Sequence, residues 1–321
     1  MKILVHFEFF EADQIEHMAA IARDNGGHEL VHAVIDEEAL RHASQAEVIL
    51  GHIKKAVCGA ATNLRWIQSN SAGMDSFLFP EIAQREEVLV TNMAGLYASQ
   101  GGEHVWALLL GLARGVPQAV ESKAVGKWGG ISHDPIELAG GTLGIIGMGG
   151  FGIETATRAA GYDMTVIALD PMRTQAPDGV SELRVPTADN LIDLLKRSDA
   201  VVLCCPRTKQ TYHLIGAVEL EAMKPTAYLI NVTRGGIIDE DALAQALTDG
   251  QIAGAGLDVT ETEPLPAESP LWSAPNVIIT PHRAGASQHR PRKTYEFFAA
   301  QLERYLTGKT LLNQVDKKAG Y

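Results

Sequence analysis

Thr142-Leu143-Gly144-Ile145-Ile146-Gly147-Met148-Gly149-Gly150-Phe151-Gly152 decides how this chain folds. The apolar run up to Ile146 reads as a buried strand. Gly147, Gly149 and Gly152 then form G-x-G-x-x-G at the start of a helical pattern. Gly147 permits a tight turn, Gly149 lets the backbone approach an anion closely, and Gly152 lets helix and strand pack together. With Met148, Gly150 and Phe151 filling the loop, the helix N-terminus offers free N–H groups and a partial positive charge to a pyrophosphate. Asp170 ends the next apolar run, where an acid accepts from the adenosine ribose hydroxyls. A dinucleotide site is expected, with NAD as the cofactor. Arg173, three residues on, leaves NADP as a second option because it can pair with a 2′-phosphate.

Working outward, apolar runs follow at Met164–Leu169, Ala200–Cys204, Ala227–Asn231, Ala255–Asp258 and Val277–Thr280. Such runs suit strands of a parallel sheet covered by helices on both faces. Before the glycine loop lie a helix at Ser99–Arg114 and a loop at Gly126–Gly130. Earlier still, strand patterns at Lys2–Phe7, Glu29–Ile35, Val48–Gly51, Leu64–Ser69 and Val88–Thr91 alternate with helical patterns at Ala12–Asp24 and Glu37–Ala43. Alternation of this kind predicts a second parallel sheet. The amphipathic tail at Ser287–Thr307 is expected to pack back on the first domain. The expected organisation is therefore α/β with two doubly wound parallel-sheet domains: 1–98 with 287–321, and 99–286 inserted between them.

The composition sets limits. The chain has 321 residues, 46% of them apolar, and a net charge of −12. A nucleic-acid binder normally carries a basic face, so no nucleic acid is expected. The run Ile3–Val5 is too short for a signal peptide, and Val105–Leu110 is far short of the roughly 20 residues of a membrane span. No membrane association and a cytoplasmic location are expected. Three cysteines give neither a disulfide framework nor paired zinc spacing. His28-Glu29-Leu30-Val31-His32 fits H-E-x-x-H, a zinc motif when helical. Gly26-Gly27 before it and Val34-Ile35 after it favour a strand, which places the two histidines about 13 Å apart. No metal site is expected.

Three segments stand just past later strands, where an open α/β sheet places its ligand: Asn231–Glu240, Gly256–Leu265 and Thr280–Gly285. Arg234 offers a rigid, permanently charged fork for a carboxylate. His282 can exchange a proton near neutral pH. Glu263 can orient His282 and stabilise its charged form. Taken singly, each residue has an equally good bland reading, as strand cap, solvated acid or loop residue.

Together with Ser71-Ala72-Gly73-Met74-Asp75, Gly102-Glu103-His104 and Met223-Lys224, these segments resemble the signatures of the D-isomer-specific 2-hydroxyacid dehydrogenases, in the same order along the chain. The resemblance runs from about Leu64 to Val315. It implies a Rossmann-type NAD domain inserted in a discontinuous, flavodoxin-like substrate domain. It makes Arg234, Glu263 and His282 catalytic, with Arg234 and His282 also touching substrate. The backbone of Ala72, Gly73 and Met74 would hold the substrate carboxylate. Asp258 would bond the nicotinamide amide, and Pro206, Thr211, Thr233 and Gly285 would lie near the cofactor. Departures are Arg207 after Pro206, Thr233 where many members have Ala, and Gly101-Gly102 ahead of Glu103.

The expected activity is hydride transfer between NAD(H) and C2 of a small 2-oxo/2-hydroxy acid of the D series. The alternative is an NAD-binding regulatory protein, corepressor-like, without turnover. The resemblance also implies a homodimer, with helix Ser99–Arg114 as one interface and the core as its other use.

Overall fold

The computed structural model describes residues 1–129 and 135–321. Gly130, the last residue of the loop expected at Gly126–Gly130, lies outside the described residues. The chain forms two compact units, Met1–Tyr97 with Ser287–Tyr321, and Ala98–Ala286.

The first unit is a five-stranded parallel sheet. Its strands are β1 (Lys2–His6), β2 (Glu29–His32), β3 (Ala46–Gly51), β4 (Trp66–Ser69) and β5 (Leu89–Thr91). Their order, β2-β1-β3-β4-β5, is the flavodoxin-like one. Leu4, Ile49, Ile67 and Val90 meet in the core on one face. On the other side Phe298 of helix Arg290–Leu306 stacks on Phe7 and meets Phe10 edge-on. The tail helix thus belongs to this unit and packs on helix Ala12–Asp24. A buried polar chain joins tail to sheet: Trp66 Nε1 donates to Thr91 Oγ1 at 2.9 Å, Thr91 to Gln68 at 2.6 Å, and Gln301 to Gln68 at 3.3 Å. Strand β2 is shorter than the Glu29–Ile35 run, because the chain turns into helix Asp36–Ala43. His32 donates to Phe7 O, while His28 takes the N-terminal amine of Met1, so the two ends of the H-E-x-x-H stretch serve separate contacts.

The second unit carries seven parallel strands: β6 (Thr142–Ile146), β7 (Thr165–Leu169), β8 (Glu182–Arg184), β9 (Ala200–Leu203), β10 (Tyr228–Asn231), β11 (Gly254–Leu257) and β12 (Val277–Ile279). They run β12-β11-β10-β9-β6-β7-β8, the doubly wound order with its reversal between β6 and β9. Strands β9, β10 and β11 are buried throughout. Helices on the two faces close two separate cores over them, one with Leu195, Leu229 and Leu243, the other with Leu109, Ile145 and Ile230. The polar edge strand β8 has no apolar run to betray it in the sequence. Helix Ala98–Ala113 buries ten of its sixteen residues, so most of its apolar face is core within this unit. The next helix, Val116–Ala124, buries none of its residues and exposes Val116 and Val120.

Candidate functional site

Parallel strands bring every candidate residue of the second unit to one edge. Gly147 follows β6, Asp170 follows β7, Pro206 follows β9, Thr233 and Arg234 follow β10, Asp258 follows β11, and His282 follows β12.

The glycine loop is shaped by what surrounds it. Gly147 has φ +97°, and a Cβ there would lie 2.6 Å from the Cys204 carbonyl carbon, so the loop nests against the end of β9 at the switch point. A Cβ on Gly152 would lie 2.2 Å from Gly147 O, which is the close helix–strand approach expected of the third glycine. A Cβ on Gly149 would meet nothing within 4 Å: the open side of the loop lies there, at the N-cap of helix Gly150–Ala159. Glycine at 149 is thus not needed for internal packing, and the space it leaves fits a pyrophosphate beside the free N–H groups. Asp170 is nearly buried, and its carboxylate ties the loop together. Oδ2 accepts from Met148 N at 2.7 Å, and Oδ1 from Met172 N and Arg173 N at 2.8 and 2.9 Å. Arg173 Nε donates to Met148 O at 2.6 Å, which holds its guanidinium beside the same loop.

Pro206, Thr211 and Thr233 hold their own loops. Thr211 Oγ1 donates to Pro206 O at 2.7 Å and accepts from Thr208 N at 2.7 Å. Thr233 N donates to Asn231 Oδ1 at 3.2 Å. Gly285 O accepts from Gln100. Cys204 and Cys205 are buried, and burial pushes the Cys205 thiol up to about 12, far from a reactive thiolate.

His282 and Glu263 meet. His282 Nδ1 lies 2.7 Å from Glu263 Oε2, and Glu263 Oε1 accepts from Thr260 N at 3.2 Å. Both side chains keep access to solvent. Arg234 sits on the neighbouring loop, half-buried, with Asn231 Nδ2 donating to its carbonyl and its own Nη1 donating to Thr233 O. The two loops interlock at Gly235, where a Cβ would sit 1.8 Å from Thr260 O. Only glycine allows that approach, and it fixes the Arg234 loop to the loop bearing Glu263.

Asp258 is buried and collects three donors. Oδ1 accepts from Thr280 Oγ1 at 2.5 Å and from Arg283 N at 2.8 Å, and Oδ2 from Ala284 N at 2.7 Å, while His104 Nε2 lies 3.2 Å from Oδ1. Burial pushes its carboxyl up, but His104, the Thr280 hydroxyl and the two backbone N–H groups outweigh this and hold it below the ordinary range. In the sequence, His104 and Thr280 stand only as parts of longer stretches, because nothing in a one-dimensional pattern joins residues so far apart.

In the first unit the turn after β4 carries Ala72, Gly73 and Met74. Ser71 N donates to Ser69 Oγ, Met93 N to Ser71 O, and Asn92 Nδ2 to Ala72 O. Among the described residues the N–H groups of Ala72, Gly73 and Met74 donate to no protein acceptor, which leaves a row of donors at the carboxyl edge of that sheet.

Among the described residues, no helix is long and apolar enough to cross a membrane, and no cluster of three or more His, Cys, Asp or Glu is placed to hold a metal ion.

A doubly wound sheet with a glycine loop at its switch point and an acid–imidazole pair at the same edge defines a nicotinamide-dinucleotide oxidoreductase. The comparisons are more specific. Residues 106–284 match the family described as "D-isomer specific 2-hydroxyacid dehydrogenase, NAD binding domain". Glyoxylate reductase of Korarchaeum cryptofilum (strain OPF8) is 38% identical over 270 residues, 83% of this chain and 80% of that one. A D-isomer specific 2-hydroxyacid dehydrogenase family protein from Aeromonas salmonicida superposes with a TM-score of 0.82 at 29% identity, covering 98% of this chain and 99% of that one. An NADPH-dependent glyoxylate/hydroxypyruvate reductase from Sinorhizobium meliloti, in complex with NADP and sulfate, superposes at 0.82 and 27% identity, covering 100% and 99%. The chain belongs to the D-isomer-specific 2-hydroxyacid dehydrogenase family and is an NAD(P)-dependent enzyme of that class.

Proposed function

We propose that the enzyme reduces the C2 carbonyl of a small 2-oxo acid to the D-2-hydroxy acid, with Arg234, Glu263 and His282 as its catalytic residues. The observation that carries this reading is the 2.7 Å His282–Glu263 pair on loops that Gly235 locks to Arg234.

A nicotinamide held at this edge would supply or accept the hydride at C2. Arg234 binds the substrate carboxylate and polarises the carbonyl, and its planar fork suits a two-point contact. In the first unit, the N–H groups of Ala72, Gly73 and Met74 form a separate row of donors of the kind that suits a carboxylate. Glu263 accepts from His282 Nδ1, which leaves Nε2 to give a proton to the carbonyl oxygen in reduction and to take it back in oxidation. Gly147 to Gly152, Asp170, Pro206, Thr211, Thr233, Asp258 and Gly285 would hold the cofactor.

The relatives' names point to glyoxylate and hydroxypyruvate as first substrates to try. The test is a spectrophotometric screen of glyoxylate, hydroxypyruvate, pyruvate and bulkier 2-oxo acids with NADH and NADPH, followed by chiral analysis of any product that can show handedness. Formation of the L-isomer, or oxidation of cofactor without 2-oxo acid consumption, would overturn the reading.

We also propose a homodimer. Val116, Val120, Val125 and Trp128 are exposed on and just after a helix that buries nothing in its own unit. Sedimentation of the wild type against Val120→Glu/Trp128→Glu tests it. A dimer unaffected by both charges would move the interface elsewhere.

A further inference from the structure

Asp258 grips the loop that carries His282 from both sides. Its backbone carbonyl accepts His282 N at 2.8 Å, while its carboxylate takes the Thr280 hydroxyl and the N–H groups of Arg283 and Ala284. His282 itself has φ +53°, in the left-handed region that a β-carbon makes unfavourable. Such a conformation persists only where the surroundings over-determine it. One further donor reaches this cluster from another element. His104, on helix Ala98–Ala113, places Nε2 2.9 Å from Thr280 Oγ1 and 3.2 Å from Asp258 Oδ1.

We infer that His104 is a positioning residue for the reaction: by donating from Nε2 to Thr280, beside the Asp258 carboxylate, it holds the loop in the strained form that aims His282. The inference rests on the acid–base role proposed for His282. The chemistry is specific about the atom. Thr280 uses its hydroxyl proton on Asp258, so Thr280 Oγ1 can only accept from His104, and Nε2 must carry a proton. Without His104, Thr280 Oγ1 keeps only its own donation to Asp258, and the loop loses one of the two contacts that fix it two residues before His282. Small misplacement of a reacting group is costly, because proton transfer depends steeply on geometry.

The variants are His104→Ala, His104→Gln and Thr280→Val, each also made in a His282→Ala background. Steady-state kcat and KM with NAD(P)H and the best 2-oxo acid are measured with cofactor Kd by fluorescence and with Tm. His104→Ala should lower kcat on the order of 10- to 100-fold with cofactor Kd little changed. His104→Gln keeps a donor at the same reach and should recover most of the loss. Thr280→Val should lower kcat similarly and combine non-additively with His104→Ala. In the His282→Ala background, His104→Ala should add nothing. An unchanged kcat in folded His104→Ala, no recovery in His104→Gln, or an equal further loss without His282 would each overturn the inference. Near-normal turnover of His282→Ala would overturn the acid–base reading itself and the inference with it.

Discussion

His282 Nδ1 lies 2.7 Å from the Glu263 carboxylate although the two residues belong to different loops, one after β11 and one after β12. A carboxylate at that distance holds the ring by Nδ1 and leaves Nε2 as the nitrogen that can face a substrate. Glu263→Gln keeps the shape and an acceptor but removes the charge beside the ring. kcat should fall about 10-fold or more in both directions, with cofactor Kd nearly constant. An unchanged kcat in the folded variant would break the pair.

Arg234→Lys keeps a positive charge but loses the planar fork. The expected result is a large fall in kcat/KM for the 2-oxo acid with cofactor Kd nearly constant. A fall in cofactor affinity instead would make Arg234 a cofactor residue.

The proposed cofactor site sets two residues after β7 against each other in the choice between NADH and NADPH. In that proposal the Asp170 carboxylate faces the adenosine ribose and repels a 2′-phosphate, which favours NADH. Arg173 is anchored by Nε to Met148 O, which leaves its two Nη groups available to a phosphate. NADH should give the higher kcat/KM, and Arg173→Ala should lower the NADPH value about tenfold or more while sparing NADH. Better turnover with NADPH in the wild type would show that Arg173 outweighs Asp170.

Glu240 should make the fold less stable as pH rises. Burial, helped by the charges of Glu261 and Asp241, pushes its carboxyl above the ordinary range, against the opposing bond from Glu261 N. The native state therefore holds this proton to higher pH than the unfolded chain does, whose value is near 4.3. Stability from this group is complete below that unfolded value and declines as pH rises through the native one. Glu240→Gln keeps an acceptor for Glu261 N without the charge. Tm of the variant should exceed that of the wild type at pH 7 by about 1–3 °C, and the gap should close toward pH 4. A gap of the same size at both pH values would exclude the buried charge as its cause.

The sequence by itself determined the architecture. Apolar runs of strand length alternating with helical patterns required two parallel sheets, because only helices on both faces can cover such runs. The spacing Gly147, Gly149, Gly152 marked the phosphate loop for a local reason: strand, turn and helix start are adjacent in the chain. Arg234, Glu263 and His282 were legible as polar residues just past apolar strands, since parallel strands send all such positions to one edge. What tertiary structure alone decided is which residues meet there. Glu263 reaches His282, and His104 reaches Thr280 and Asp258, only because β11, β12 and helix Ala98–Ala113 pack together. The same packing made helix Ala98–Ala113 core, though its apolar face suited an interface equally well. Short polar β8 and the left-handed backbone at His282 left no pattern, because an edge position and a strained φ are settled by neighbours far away in the sequence.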